Sequence, residues 1–151
     1  MQRLRLIWAA MLVSLPIYAL IVVLAGASGE APHSRGLALI WVLGLVAAAN
    51  LVTVAPLLGA MLASARRTFA AEPRPEALLA SHLGALVVAW ARVEAVAILG
   101  LVAFFVSGRP DVFWAFLGVS AAGLLLLRPT PGNLEELLAG STPAPLQPIE
   151  P

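Results

Sequence analysis

The chain has 151 residues, 61% of them hydrophobic and only 11% charged, with a formal net charge of +1. Soluble domains run nearer roughly 45 to 50% apolar and about 25% charged, so an ordinary water-soluble core is excluded, and the small net charge leaves no basic footprint for nucleic acid. There is no cysteine, which removes disulfides, thiolate metal sites, iron–sulfur clusters and cysteine-based catalysis.

Arg3 and Arg5 precede a first apolar run over 6–26. Ala25-Gly26-Ala27 fits the small-residue cleavage pattern of a secretory signal, but an h-region spans only about 7 to 15 residues, and this run is longer and holds Pro16 and Tyr18. A retained helix is therefore expected. Ser14 and Tyr18, four apart, share one of its faces. After the turn-rich stretch from Gly26 to Pro32, a second run over 37–63 carries Asn50 and Thr53 on one face and Pro56 as a source of kinking. Gly44, Gly59, Gly118 and Gly123 read as close-packing positions.

Glu72-Pro73-Arg74-Pro75 separates these two runs from a third, over 83–107, which contains Arg92 and Glu94. Gly108-Arg109-Pro110 is so short that the fourth run, 111–127, must fold back on the third as a tight antiparallel hairpin. Beyond Arg128, prolines 129 and 131 stop the helix. A short helical turn is expected at Asn133–Leu138, within a proline-rich, mobile cytoplasmic tail covering 129–151.

A membrane span needs about 20 apolar residues, so the sequence predicts an all-α polytopic protein, with four transmembrane helices in an antiparallel bundle formed by residues 1–128. Arg3, Arg5, Arg66, Arg67, Arg74 and Arg128 fall on one side, and Arg35 and Arg109 on the other. The positive-inside rule then places both termini and the central loop in the cytoplasm, as in a multi-pass bacterial inner-membrane protein.

Glu94 is the least expected residue. A charge deep in a bilayer costs roughly 2.5 to 3.5 kcal/mol on insertion scales, so this carboxyl needs a partner, a water path or a proton. Arg92, about 200° around the helix, cannot pair with it and has a stem long enough to snorkel to the headgroups, an interface role shared with Arg66, Arg67 and Arg74. Ser14, Tyr18, Asn50, Thr53 and Ser120 lie at similar depth on the other helices. A bundle turning these faces inward makes a polar layer around Glu94, as structural hydrogen bonding or as a proton or ion site. His33 and His82 have no second ligand at metal spacing and read as incidental surface histidines, and neither metal nor cofactor is expected.

Arg74-Pro75-Glu76, followed by Glu94-Ala95-Val96-Ala97-Ile98-Leu99-Gly100-Leu101-Val102, resembles the loop and second helix of rotary ATP synthase c subunits. The resemblance implies that Glu94 binds the translocated proton or sodium ion and that the Arg74 loop faces the rotor stalk.

Searches for a zinc-protease helix, a nucleophile elbow, a phosphate loop and paired catalytic carboxylates find nothing. The expected function is that of a small non-catalytic accessory, assembly or structural subunit of a membrane complex, with the lipid bilayer and fellow subunits or further copies as partners. The competing expectation is a proton- or cation-translocating component that uses Glu94. A third, a membrane enzyme acting on lipid, has only Arg66, Arg67 and Arg74 as phosphate-binding groups.

Overall fold

Proline and glycine set the element boundaries. The computed structural model describes residues 2–27, 37–71 and 75–129, which form five helices and no strand: α1 (Gln2–Ala27), α2 (Leu37–Val52), α3 (Val54–Ala71), α4 (Pro75–Ser107) and α5 (Pro110–Leu126). The expected turn after Ala27, the Glu72-Pro73-Arg74 link and the tail from residue 130, with its expected helical turn, lie outside the described residues.

By length and composition, three segments are able to cross a membrane: Leu4–Gly26, Leu37–Phe69 and Leu79–Ser107. The fourth expected span, Pro110–Leu126, is a shorter apolar helix. Its 17 residues rise about 25 Å, less than the ~30 Å of a typical hydrocarbon core.

The second expected run divides in two. Pro56 has no N–H to give the carbonyl of Val52, and its ring crowds that carbonyl, so α2 ends at Val52 and α3 restarts at Val54. Backbone bonds from Thr53 N to Ala49 O (3.2 Å) and from Leu57 N to Thr53 O (3.1 Å) bridge the break, which makes it a kink and not a loop. α4 starts at Pro75, eight residues before the expected start at 83, because proline is favourable in a helix's first turn.

α4 is the hub. It packs against all four other helices, α1 also meets α5, and α2 meets α3, whereas among the described residues the backbone of α1 does not come close to that of α2 or α3, nor that of α2 to α5. The α4–α5 turn is closed by Gly108 at φ 65°, whose N–H reaches Phe104 O at 2.6 Å, a left-handed geometry that favours glycine. From there the two helices run antiparallel in close contact. A Cβ on Gly100 would lie 2.5 Å from Phe116 Cβ, and one on Gly123 would lie 2.7 Å from Val93 Cγ1. Gly123 is therefore a packing position as expected, but Gly44, Gly59 and Gly118 are not, since a Cβ on any of them meets nothing within 4 Å. Gly100 is the close-packing glycine that the sequence reading overlooked.

Two indoles, that of half-buried Trp8 and that of buried Trp90, close the far end of α5, whose last carbonyls have no helical donor. Trp8 Nε1 donates to Leu124 O at 2.8 Å, and Trp90 Nε1 donates to Leu127 O at 3.0 Å. The level of Trp90 on α4 thus coincides with the end of α5. α1 runs parallel to α4, with Leu4 and Leu15 in the cluster of Leu86, Ala89 and Trp90 while Val22 joins Phe104 and Phe113.

The exposed large hydrophobic residues form a band. They occur along α1 (Leu6 to Leu24), α2 (Leu37 to Val52), the second half of α4 (Val88 to Val106) and α5 (Trp114 to Leu126). Among the described residues α3 has none, and Leu79 is the one such residue in α4 before Val88. α3 and the first half of α4 therefore pair as an arm beyond the band, with Leu62, Ala65 and Phe69 packed together and Ser64, Arg66, Arg67 and Thr68 exposed.

Candidate functional site

The polar side chains of the band meet α4 on three sides. On the α1 side, Glu94 Oε1 lies 2.5 Å from Ser14 Oγ and accepts a 3.0 Å bond from Tyr18 OH. Ser14 and Tyr18 reach one carboxyl because they are one helical turn apart on α1. Ser14 Oγ is also 2.6 Å from the carbonyl of Met11. A hydroxyl has a single proton, and a carbonyl only accepts. The single Ser14 proton is therefore shared between the Glu94 carboxyl and the Met11 carbonyl.

On a second side, α4 meets the α2–α3 kink. Asn50 Nδ2 donates to the carbonyl of Arg92 at 2.7 Å, and Arg92 Nη1 donates to Thr53 Oγ1 at 2.6 Å. The Thr53 hydroxyl turns back on its own helix, 2.9 Å from both Ala49 O and Asn50 O. On the α5 side, buried Ser120 donates to Val93 O at 2.9 Å, with no solvent exposure. Each expected member of the polar layer thus bonds a neighbouring helix, but only Ser14 and Tyr18 meet Glu94; Asn50 and Thr53 belong to Arg92, and Ser120 to the α4 backbone.

Measured from Trp90, Glu94 lies four residues along α4, about 6 Å of axial rise, with Ser107 about 20 Å away on its other side, and its side chain is half-buried.

His82 corrects an expectation. It is buried, with Nδ1 unpartnered, and is not a surface histidine. The earlier start of α4 places it inside the helix, on the same face as Leu86, Ala89 and Val93 at spacings of four and three. Among the described residues no group of three or more His, Asp or Glu side chains could hold a metal ion. Arg66 and Arg67 are exposed on α3, and Arg74 is outside the described residues. At the opposite end, Arg109 and Asp111 form an exposed forked ion pair at the start of α5, with Nη2–Oδ2 at 2.5 Å and Nε–Oδ1 at 3.3 Å. Asp111 there also suits the positive end of the helix dipole.

Between α2 and α5, beside α4, lies an open, apolar space of about 270 Å³ lined by Gly44, Ala47, Leu51, Val96, Phe116 and Val119, among others. Among the described residues the backbones of α1 and α2 do not come close, and Val88, Ala91, Ala95, Ile98 and Val102 of α4 are left exposed or half-exposed between them, as the floor of an α1–α2 cleft.

No family model, curated protein or solved structure matches the chain.

Proposed function

We propose that this is a small integral membrane protein acting as a non-catalytic accessory or structural subunit of a membrane complex. The observation that supports this reading most is where the polar groups go. Glu94, Ser14, Tyr18, Asn50, Arg92, Thr53 and Ser120 are all engaged in bonds that join α4 to α1, to the α2–α3 kink or to α5. Side chains used in this way hold a bundle together, at about 0.6 kcal/mol per interhelical bond on average.

In this reading four segments cross the bilayer: α1, α2, the second half of α4, and α5. Both termini lie in the cytoplasm, since the sequence puts Arg3, Arg5, Arg66, Arg67, Arg74 and Arg128 on that side of the apolar runs. α3 and the first half of α4 then stand on the cytoplasmic side, where a polar, arginine-bearing surface can meet other subunits.

The test is purification of the full chain from its native membrane in mild detergent. A stoichiometric assembly, weakened by charge reversal of Arg66 and Arg67, is the expected result. A solitary chain of full stability would overturn the reading.

A second reading, a proton- or cation-translocating component, is favoured by one observation: Glu94 is half-buried and not sealed, and two hydroxyls donate to its carboxyl. It agrees with the resemblance of this stretch to rotary c subunits. Proton flux in vesicles that is lost in Glu94→Gln, with folding intact, would replace the first reading with this one.

A further inference from the structure

Arg92 carries a charge that nothing in the described chain neutralises. Its guanidinium has five N–H donors and uses one, on Thr53 Oγ1, and it forms no ion pair among the described residues. The site around it is built. The Thr53 hydroxyl that receives the guanidinium is itself anchored to the backbone of its helix, and Asn50 holds the α4 carbonyl of the same residue. The arginine is thus oriented but unpaired, with its remaining donors free.

Its position along the band indicates what would pair with it. Arg92 lies two residues from Trp90, about 3 Å of axial rise from the level at which α5 ends and Arg128 is exposed. That is the depth at which a long basic side chain reaches lipid phosphates. From this level, one face of α4 runs along the floor of the α1–α2 cleft through Val88, Ala91, Ala95, Ile98 and Val102, all exposed or half-exposed and all apolar. This strip is about 21 Å long and begins beside the guanidinium. A cation at one end of an apolar strip matches an amphiphile with an anionic head and a hydrocarbon tail.

We propose that Arg92 is the headgroup anchor of a bound anionic phospholipid, whose phosphate takes the free guanidinium donors and whose acyl chain lies on α4 between α1 and α2. A planar guanidinium offers paired N–H groups to phosphate oxygens, which a lysine ammonium does not. A net-anionic lipid is preferred over a zwitterionic one because the site contributes an uncompensated positive charge.

The experiment titrates the purified full chain, in neutral detergent, with phosphatidylglycerol, phosphatidylcholine or glycerol phosphate. Retained lipid is read by native mass spectrometry and stability by thermal unfolding. Phosphatidylglycerol should be retained and raise the unfolding temperature, with phosphatidylcholine and glycerol phosphate much weaker. Arg92→Gln should lower the phosphatidylglycerol affinity about tenfold or more, Arg92→Lys and Thr53→Val severalfold, and the Arg66→Gln/Arg67→Gln pair little. The last three comparisons decide the matter even if Arg92→Gln fails to fold. Equal retention of the two lipids, equal binding of glycerol phosphate, or unchanged lipid affinity in the Arg92 and Thr53 variants would overturn the assignment. So would dissociation of an oligomer by Arg92→Lys with no change in lipid, which would mean that a protein carboxylate is the partner.

Discussion

Arg92 and Glu94, two residues apart on α4, are bonded to different helices: Arg92 to Thr53 at the α2–α3 kink, Glu94 to Ser14 and Tyr18 on α1. A separation of about 200° around the helix keeps the opposite charges apart and turns each into a separate tie. Among the described residues the backbones of α1 and α2 do not come close, and both ties pass through α4.

The first prediction concerns the carboxyl. Glu94→Gln keeps an acceptor oxygen for the Ser14 and Tyr18 hydroxyls, so it should unfold within about 0.5 kcal/mol of the parent. Glu94→Ala removes both bonds and should cost roughly 1 kcal/mol at the usual membrane value per bond. Unfolding of the two variants in the same detergent checks this. A Gln variant as unstable as the Ala variant would show that the acid itself is required.

The glycines make a sharper pair. Gly100→Ala places a methyl 2.5 Å from Phe116 Cβ, which is fixed to the backbone of α5 and cannot swing aside. The helices must separate, at the overpacking cost of about 1–3 kcal/mol. Gly118→Ala and Gly44→Ala meet nothing within 4 Å and should be neutral or slightly stabilising through helix propensity. Thermal unfolding of the three variants separates these outcomes.

Much of the framework could be read from the residue order. The apolar runs predict the helices, and Gly108 with Pro110 predicts the α4–α5 turn. The pairing of Ser14 with Tyr18 follows from a spacing of four on one helix. What escaped the sequence reading depends on relative placement. Helical spacing puts Asn50 and Thr53 on one face but does not say which residue of α4 lies opposite, and a shift of two positions assigns them to Arg92 instead of Glu94. Gly100 carries no local mark, since its role comes from the approach of Phe116. Hydropathy also ran straight through Pro56, because the side chains of α3 are apolar enough to mask a change from the lipid-facing pattern to an inward-facing one.

That masked change is testable by labelling, and the absence of native cysteine makes single substitutions clean. Ser64→Cys and Ala80→Cys are exposed on the arm and should react with a membrane-impermeant maleimide. Val46→Cys and Val102→Cys are equally exposed but lie in the apolar band, and should be protected in vesicles. Arg109→Cys should react from the opposite side to the arm positions. Protection at Ser64 and Ala80 would extend the bilayer over the arm and overturn the proposal that it is a cytoplasmic surface.

The final prediction tests why the arm lies where it does. If the missing N–H and the ring of Pro56 cause the kink, Pro56→Ala returns a donor to the carbonyl of Val52 and lets α2 and α3 join as one straight helix. Packing opposes this, because Val54 and Leu58 are held in the cluster of Leu86 and Trp90. Propensity alone favours alanine over proline by about 3 kcal/mol in a helix interior, more than partial loss of those contacts should return. Spin labels at Trp41→Cys and Arg67→Cys should therefore move apart in the Pro56→Ala background, and the hold of Thr53 on Arg92 should loosen with them. An unchanged distance would mean that contacts with α4, and not the proline, set the angle.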